Sequence, residues 1–202
     1  VAEGERGRVY LSPTAEHEKA AHEEKPGWKP DMLLPENPRD FKTPNYGLTT
    51  YGDLFTDRQL VALTTFADLV QEAREQIRQD ALAAGLSPDP TPLRDGGTGA
   101  TAYAEAVGVY LGFTVSRLGN RGCTISFWDN SGQKVQQAFG RQALPMTWDF
   151  CESNPFSEST GNWLGQLLFP AKCLDFIPAA IFGNAEQADA QMQSLSKKKL
   201  IS

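Results

Sequence analysis

The sequence predicts a mainly α protein with irregular stretches and short β segments. A long amphipathic pattern from about residue 57 to 84 indicates one extended helix, and a second helical pattern covers about residues 102–118. Prolines recur between Pro26 and Pro44, and each of them removes a backbone donor and biases the preceding residue away from helix. The N-terminal part is therefore expected to be irregular and the centre helical.

Residues 1–46 are expected to form an extended, proline-rich arm. Residues 8–11 have the pattern of a short strand that Pro13 ends, and residues 14–24 contain helix formers with almost no apolar stripe, so any helix there should face solvent. A long extended arm normally lies across another surface. Its expected anchors are the larger apolar side chains Leu33, Leu34, Phe41 and Tyr46.

The long helix has a clear start and stop. Thr56 and Gln59 have the spacing of a capping box, in which the hydroxyl accepts from the third residue's amide and the glutamine reaches back. Gly85 supplies a left-handed stop. Apolar residues spaced three and four apart between these signals define one face, namely Leu60, Leu63, Ala67, Val70, Ala73, Ile77 and Ala81.

The rest of the chain is less regular. The polar segment 87–99 is expected to be an exposed linker, and the aromatic residues of the second helix are expected to be core. That helix's apolar side comprises Tyr103, Val107, Tyr110, Leu111, Val115 and Leu118. Further on, the segment 123–139 is ambiguous, with a strand at residues 124–128 and a short helix at residues 134–139 as one interpretation. Residues 146–150 have the pattern of a strand, while Pro170 and Pro178 should break any helix within 159–181.

Composition bounds the possible functions. The formal net charge is -6, whereas a self-sufficient DNA-binding domain is usually basic, so only a local basic patch would serve a nucleic-acid role. Three widely spaced cysteines fit neither a disulfide framework nor a zinc site and favour reduced thiols in a cytoplasmic protein. No metal site is expected, and the absence of an eighteen-residue apolar run predicts no membrane span.

Four stretches in a fixed order resemble a known family. They are Asn37–Phe41 with Thr43–Gly47, Asp53–Leu60, Phe139–Met146 with Trp148-Asp149, and Asn154–Phe156 followed by Ser159–Asn162. Together they resemble the central region of large prokaryotic adenine-specific DNA methyltransferases that carry an N-terminal domain of unknown function. The resemblance extends from about residue 7 to 191.

The resemblance implies a place in a larger enzyme. Members of the family use S-adenosylmethionine, with a glycine-rich cofactor loop before this region and a catalytic Asp-Pro-Pro-Tyr after it; this sequence contains neither. With no initiator methionine at Val1, the chain is expected to be a fragment that binds no cofactor and transfers no methyl group alone. The expected partners are DNA, through the parent protein, and the remaining parts of the methyltransferase, in restriction-modification or phage defence.

The expected organisation follows from this resemblance. Residues 1–46 are the arm, and residues 47–181 are a mainly helical insert domain. Residues 182–202 are either the start of the returning methyltransferase segment or a frayed tail. The fold class is accordingly an insert or partial domain of an α/β S-adenosylmethionine-dependent methyltransferase.

A basic and aromatic cluster is the main candidate for DNA contact. Four cations lie between residues 117 and 141 against the single acid Asp129, and aromatic residues are interleaved with them. Cations neutralise phosphates, and exposed rings stack on unpaired bases. The alternative is a helix end with core aromatics. The predicted DNA-binding residues are Arg117, Arg121, Trp128, Lys134 and Arg141.

Two other stretches are weaker candidates. Asn154-Pro155-Phe156 resembles the motif with which amino-methyltransferases hold a flipped base, but it has one proline where the motif has two, and a structural turn is the alternative. Asp189 stands where the family places a carboxylate that accepts from the cofactor's adenine, although a solvated C-terminal helix explains it equally.

Two rival functions remain beside the methyltransferase insert. One is a protein-interaction module that docks on a partner chain through its proline-rich arm. The other is a degenerate catalytic methyltransferase domain that uses Asn154, Pro155 and Phe156.

Overall fold

The computed structural model describes residues 1–23, 25–140 and 142–177, and within these it is mainly helical with a few short strands. Two antiparallel hairpins are the only sheets among the described residues. The elements in chain order are β1 (Ala2–Gly4), β2 (Gly7–Val9), α1 (Ala15–Glu23), α2 (Asp57–Ala83), α3 (Ala100–Gly119), β3 (Trp128–Asp129), β4 (Lys134–Val135) and α4 (Trp163–Leu174).

Helix α2 begins and ends where the sequence predicts. The Thr56 hydroxyl accepts from the Gln59 amide at 3.2 Å, and the Gln59 Oε1 accepts from the Thr56 amide at 2.9 Å. Gly85 adopts a φ of 93°, and the following Leu86 amide bonds the Ala81 carbonyl at 3.0 Å. The capping box and the glycine stop are both confirmed.

The Thr56 side chain also holds a distant segment, because its hydroxyl donates to the Glu152 Oε1 at 2.9 Å. We expect Thr56→Ala to lower the free energy of unfolding by about 1–2 kcal/mol, since both the helix cap and this tertiary bond are lost. Thr56→Ser, which retains the hydroxyl, is the control. Urea denaturation measures the difference, and equal midpoints for the alanine variant and the wild type would contradict the prediction.

The buried face of α3 differs from the prediction. Tyr103 and Phe113 are exposed, and the predicted apolar side contributes only Leu118 to the fully buried residues of the helix. Helices α2 and α3 pack closely, so small side chains occupy the contact: a Cβ on Gly108 would lie 2.7 Å from the Arg74 side chain. The buried residues are Ala100, Ala102, Ala104, Gly108, Thr114 and Leu118.

Two further predictions of local structure are wrong. Lys134 and Val135 form a strand with Trp128 and Asp129 rather than starting a helix, because a tight turn reverses the chain between the two pairs. Pro170 lies inside α4 instead of ending it; its ring is buried, so packing offsets the hydrogen bond that a proline cannot donate.

The strand patterns at 124–128 and 146–150 also fail, except at Trp128. Residues 124–127 are irregular: Ile125 and Ser126 are buried in a core between non-regular segments, and no strand of the described part of the chain pairs with them. Residues 146–150 are irregular as well.

The arm packs on this irregular core. Leu34 is buried beside Leu54, Ile125 and Leu144, and Phe41 packs against the same cluster, so two of the predicted anchors are confirmed. Leu33 is exposed, which makes that anchor wrong, and the exposed Tyr46 contacts Trp148 edge to face at 5.0 Å. Helix α1 buries no residue, as its polar composition predicts.

Candidate nucleic-acid interface

A cleft of about 790 Å³ lies between the two hairpins and the segment 149–160, and we refer to it as the aromatic cleft. Its rings are Tyr10, Trp128, Phe150 and Phe156. Its cations are Arg8 and Lys134 on the hairpin side, and its acids are Asp149, Glu152 and Glu158 on the loop side.

Trp128 and Tyr10 form one aromatic unit at the hairpin wall. The indole Nε1 donates to the Tyr10 hydroxyl at 3.1 Å, and the two rings are perpendicular with centroids 6.2 Å apart. Strand pairing holds Trp128 opposite Val135, whose side chain is buried. Trp128 is therefore fixed by the backbone on one side and by Tyr10 on the other.

Asp129 shapes the turn that presents Lys134. One carboxylate oxygen accepts from the Gly132 amide at 3.0 Å and from the Ser131 hydroxyl at 2.7 Å, and the other accepts from the Gln136 amide group at 3.0 Å. These hydrogen bonds, with the Gly132 amide first, hold the pKa of Asp129 well below its usual range. The exposed Lys134 follows directly after this turn.

Two of the three arginines of the predicted cluster, Arg117 and Arg121, do not line the cleft. Arg121 donates to the Val135 carbonyl at 2.6 Å and so ties β4 to the end of α3. Burial, and then the nearby charge of Arg117, lowers the pKa of Arg121. The guanidinium of Arg117 lies 4.0 Å above the ring of Phe169 on α4. Both side chains are thus engaged within the fold, while Arg141 lies outside the described residues.

Asn154-Pro155-Phe156 forms a turn at the opposite wall. The Asn154 Oδ1 accepts from the Phe156 amide at 2.9 Å, and its carbonyl accepts from the Ser157 hydroxyl at 2.9 Å. Asparagine commonly closes its own turn in this way. Phe156 is exposed in the aromatic cleft and also contacts Phe66 at 5.9 Å between centroids.

A smaller cavity of about 330 Å³, the α2 cavity, adjoins the cleft. It lies between the first turns of α2, the end of α3 and residues 152–155, and it shares Glu152, Ser153 and Asn154 with the cleft lining. Arg58 pairs with Glu152, which also accepts from Thr56. Gln59 lines the cavity as well.

Sequence reasoning did not identify Tyr10, Glu152 or Gln59 as site residues. Tyr10 reaches Trp128 across 118 positions, and no local pattern indicates such a contact. In the sequence, Gln59 can be recognised only as part of the capping box of α2. The weaker cofactor candidate Asp189 lies outside the described residues.

Two of the cysteines, Cys123 and Cys151, have environments that disfavour the thiolate. Burial raises the pKa of Cys123, whose thiol lies 3.3 Å from the Ser126 hydroxyl, and burial raises the pKa of Cys151 to about 11. All three cysteines are free thiols. Within the described ranges, no three His, Cys, Asp or Glu side chains are grouped to hold a metal ion.

None of the helices in the described part of the chain combines the length and apolar character that a membrane crossing requires. Comparison of the chain with models of protein families, with curated proteins and with solved structures finds no match.

Proposed function

We propose that this chain is the central part of a large adenine-specific DNA methyltransferase and that it contacts DNA through the aromatic cleft. The observation that carries the proposal is the composition of this cleft. Trp128 and Lys134, which the sequence predicts as DNA contacts, line it together with Asn154 and Phe156 from one of the four family-like stretches. The resemblance alone supplies the link to methyl transfer.

The cleft suits a single strand. Exposed rings stack on bases of any sequence, and cations neutralise phosphates. Arg8 and Lys134 lie on one side and Asp149 and Glu158 on the other. Carboxylates repel phosphates and accept hydrogen bonds from base amino groups, so a bound strand would run with its backbone along the cationic hairpin side.

The surface of α4 supports a place within a larger protein. Leu164, Leu168, Phe169 and Phe176 are exposed along and just beyond this helix. Contiguous exposed apolar residues mark a protein interface. We propose that the remaining parts of the methyltransferase, which would supply the cofactor loop and the catalytic motif for S-adenosylmethionine, pack against this face.

A second candidate function is a protein-interaction module that docks through the arm. Trp28, Met32 and Leu33 are large apolar side chains that the arm leaves exposed, although neighbouring Leu34 is buried in the core. A partner that covers these three residues and leaves the cleft free would favour this candidate.

Salt titration of single-stranded DNA binding tests the cleft. We expect Lys134→Ala to reduce the steepness of the plot of log binding constant against log salt concentration by about 0.7, because one phosphate contact is lost. Trp128→Ala should cost about 1–3 kcal/mol of binding with little change in slope, because stacking is not ionic. Fluorescence anisotropy of a labelled 20-nucleotide strand measures both quantities.

The matched control is Lys172→Ala, which removes an exposed cation of α4 that does not line the cleft. This variant should bind like the wild type. Wild-type affinity and slope in both the Lys134 and the Trp128 variants would overturn the proposed DNA contact, as would failure of the unmodified chain to bind.

A further inference from the structure

Two exposed aromatic side chains outside the aromatic cleft, Tyr46 and Trp148, form what we call the aromatic pair. Their rings are nearly perpendicular, with centroids 5.0 Å apart. Trp148 is 73% exposed and Tyr46 is 54% exposed, so the pair lies on the surface and not in the core. An edge-to-face contact covers one face of one ring only, so flat ring surface remains open to a ligand.

The backbone beneath both rings is fixed to the core. Phe41 of the arm pairs with Leu144 in a short parallel bridge, which brings the two segments that present the rings side by side. The Thr147 hydroxyl, next to Trp148, donates to the carbonyl of the buried Ile125 at 3.2 Å. The rings are therefore held in place before a ligand arrives, which lowers the cost of binding one.

Cations lie next to the aromatic pair. Lys42 directly precedes the short 3-10 turn Thr43–Tyr46, and with Arg39 it lines an open depression of about 390 Å³. The Arg39 guanidinium is 3.8 Å from the Asp40 carboxylate, which partly offsets its charge. The Lys42 Nζ donates to the neutral Pro38 carbonyl and forms no ion pair within the described ranges, so its charge remains available to an anion.

This combination of rings and cation selects among the ligands that bind aromatic surfaces. An exposed ring accepts a nucleobase, a proline ring or an ammonium group. The Lys42 charge repels an ammonium group, and a proline-rich segment presents no anion to it. A nucleic acid strand presents a flat base and a neighbouring phosphate, so it satisfies both the rings and the cation.

The aromatic pair is continuous with the aromatic cleft. Trp148 directly precedes Asp149 and Phe150, both of which line the cleft. Trp148 and Phe150 are two residues apart, so their backbones are separated by at most about 7 Å. On this side of the cleft Asp149 and Glu158 repel phosphates, so the bases of a bound strand face it. A few further nucleotides would carry the strand from Phe150 to Trp148.

We propose that the aromatic pair is a second base-stacking site, which holds a base of the single strand outside the aromatic cleft while Lys42 binds a neighbouring phosphate. This inference rests on the proposed function, because the same strand must already lie in the cleft. The base stacks on the indole of Trp148, and the edge-to-face contact with Tyr46 holds that indole in position. A strand that is too short to leave the cleft stacks at Trp128 and does not reach Trp148.

Binding of strands of two lengths, measured by fluorescence anisotropy, tests this site. A labelled thymine strand of 20 nucleotides reaches both stacking sites, whereas one of about five nucleotides, near the lower limit of single-strand sites, is held by the cleft alone. We expect Trp148→Ala to weaken binding of the long strand about tenfold, because one stacked base is lost, and to leave binding of the short strand unchanged. Trp148→Phe, which keeps an aromatic ring, should retain most of the affinity.

Lys42→Ala tests the phosphate contact of the same site. The plot of log binding constant against log salt concentration should become less steep by about 0.7 for the long strand, because one phosphate contact is lost. The plot for the short strand should not change. An unchanged plot for the long strand would overturn the role of Lys42.

The matched control is Trp28→Ala, the same change at an exposed tryptophan of the arm that does not line the cleft. It should bind both strands like the wild type. Wild-type affinity of Trp148→Ala for the long strand overturns the second site, and weaker binding of both strands by Trp128→Ala leaves the cleft contact standing. Equal weakening of both strands by Trp148→Ala also overturns the second site, because Trp148 would then belong to the cleft. Absence of any strand binding by the wild type overturns both proposals.

Discussion

Replacing Ile125 with alanine is expected to lower the free energy of unfolding by about 3 kcal/mol, within the 2–5 kcal/mol typical of large-to-small changes in a packed core. Ile125 is 2% exposed and packs with Leu34 of the arm, Leu54 and Leu144. The substitution removes buried methyl groups and leaves a cavity. The cost should be high because irregular segments from distant parts of the chain meet at this one side chain.

Urea denaturation of three variants checks this result. Ile125→Val should cost about 1 kcal/mol, because only one methylene is lost. Leu164→Ala should change stability by less than about 0.5 kcal/mol, because Leu164 is 66% exposed. If Ile125→Ala behaves like Leu164→Ala, the arm and the irregular segments do not share a core.

The helical part of this fold could be predicted because its signals are local. Thr56 and Gln59 are three residues apart, and their side chains satisfy each other's backbone amides without help from the rest of the chain. The apolar periodicity of α2 is equally local. Signals between residues that are close in the chain can be recognised from a single sequence, and the predicted start and stop of α2 are both confirmed.

The packing of α3 could not be predicted from periodicity. Its aromatic residues suggest a core face, yet the close approach of α2 selects the small side chains around Gly108 for burial and leaves Tyr103 outside. Which face a helix buries depends on its neighbour and on the distance between the two axes. The sequence of one helix contains neither quantity.

The residues of the candidate site also differ in whether the sequence alone could identify them. Trp128 and Lys134 were chosen for their chemistry, and the cleft brings them together because Asp129 closes the turn between them. Arg117 and Arg121 have the same chemistry but are engaged by Phe169 and the Val135 carbonyl. Residue type alone cannot distinguish a cation that faces a ligand from one that packs within the fold.

Gln59 illustrates why the α2 cavity could not be predicted. Its sequence position explains its Oε1, which caps the helix, and says nothing about its Nε2. The α2 cavity, which Gln59 helps to line, exists only because residues 152–155 return to the start of α2, where Glu152 meets Thr56 and Arg58. A contact across almost a hundred positions has no signature in the local pattern.

The loop between α2 and α3 gives the second large effect: Gly97→Ala should lower the free energy of unfolding by about 3 kcal/mol, at the upper end of the usual cost of overpacking. A Cβ on Gly97 would lie 1.9 Å from the Thr91 carbonyl oxygen. The obstacle is backbone, so no side-chain rotation relieves it. The loop would have to open, breaking the 3.0 Å bond from the Gly97 amide to the Pro92 carbonyl.

The matched control for Gly97→Ala lies in the adjoining helix. Beyond its chain neighbours and the backbone of its own helix, a Cβ on Gly112 of α3 would meet nothing within 4 Å, so Gly112→Ala should raise stability by about 0.5–1 kcal/mol through the better helix propensity of alanine. The same chemical change should therefore shift the urea midpoint in opposite directions at the two positions. A Gly97→Ala midpoint equal to or above that of the wild type would show that the loop does not bring Thr91 against Gly97. In that case the segment 87–99 would be the exposed linker that its composition predicts, and the close packing of α2 on α3 would not depend on it.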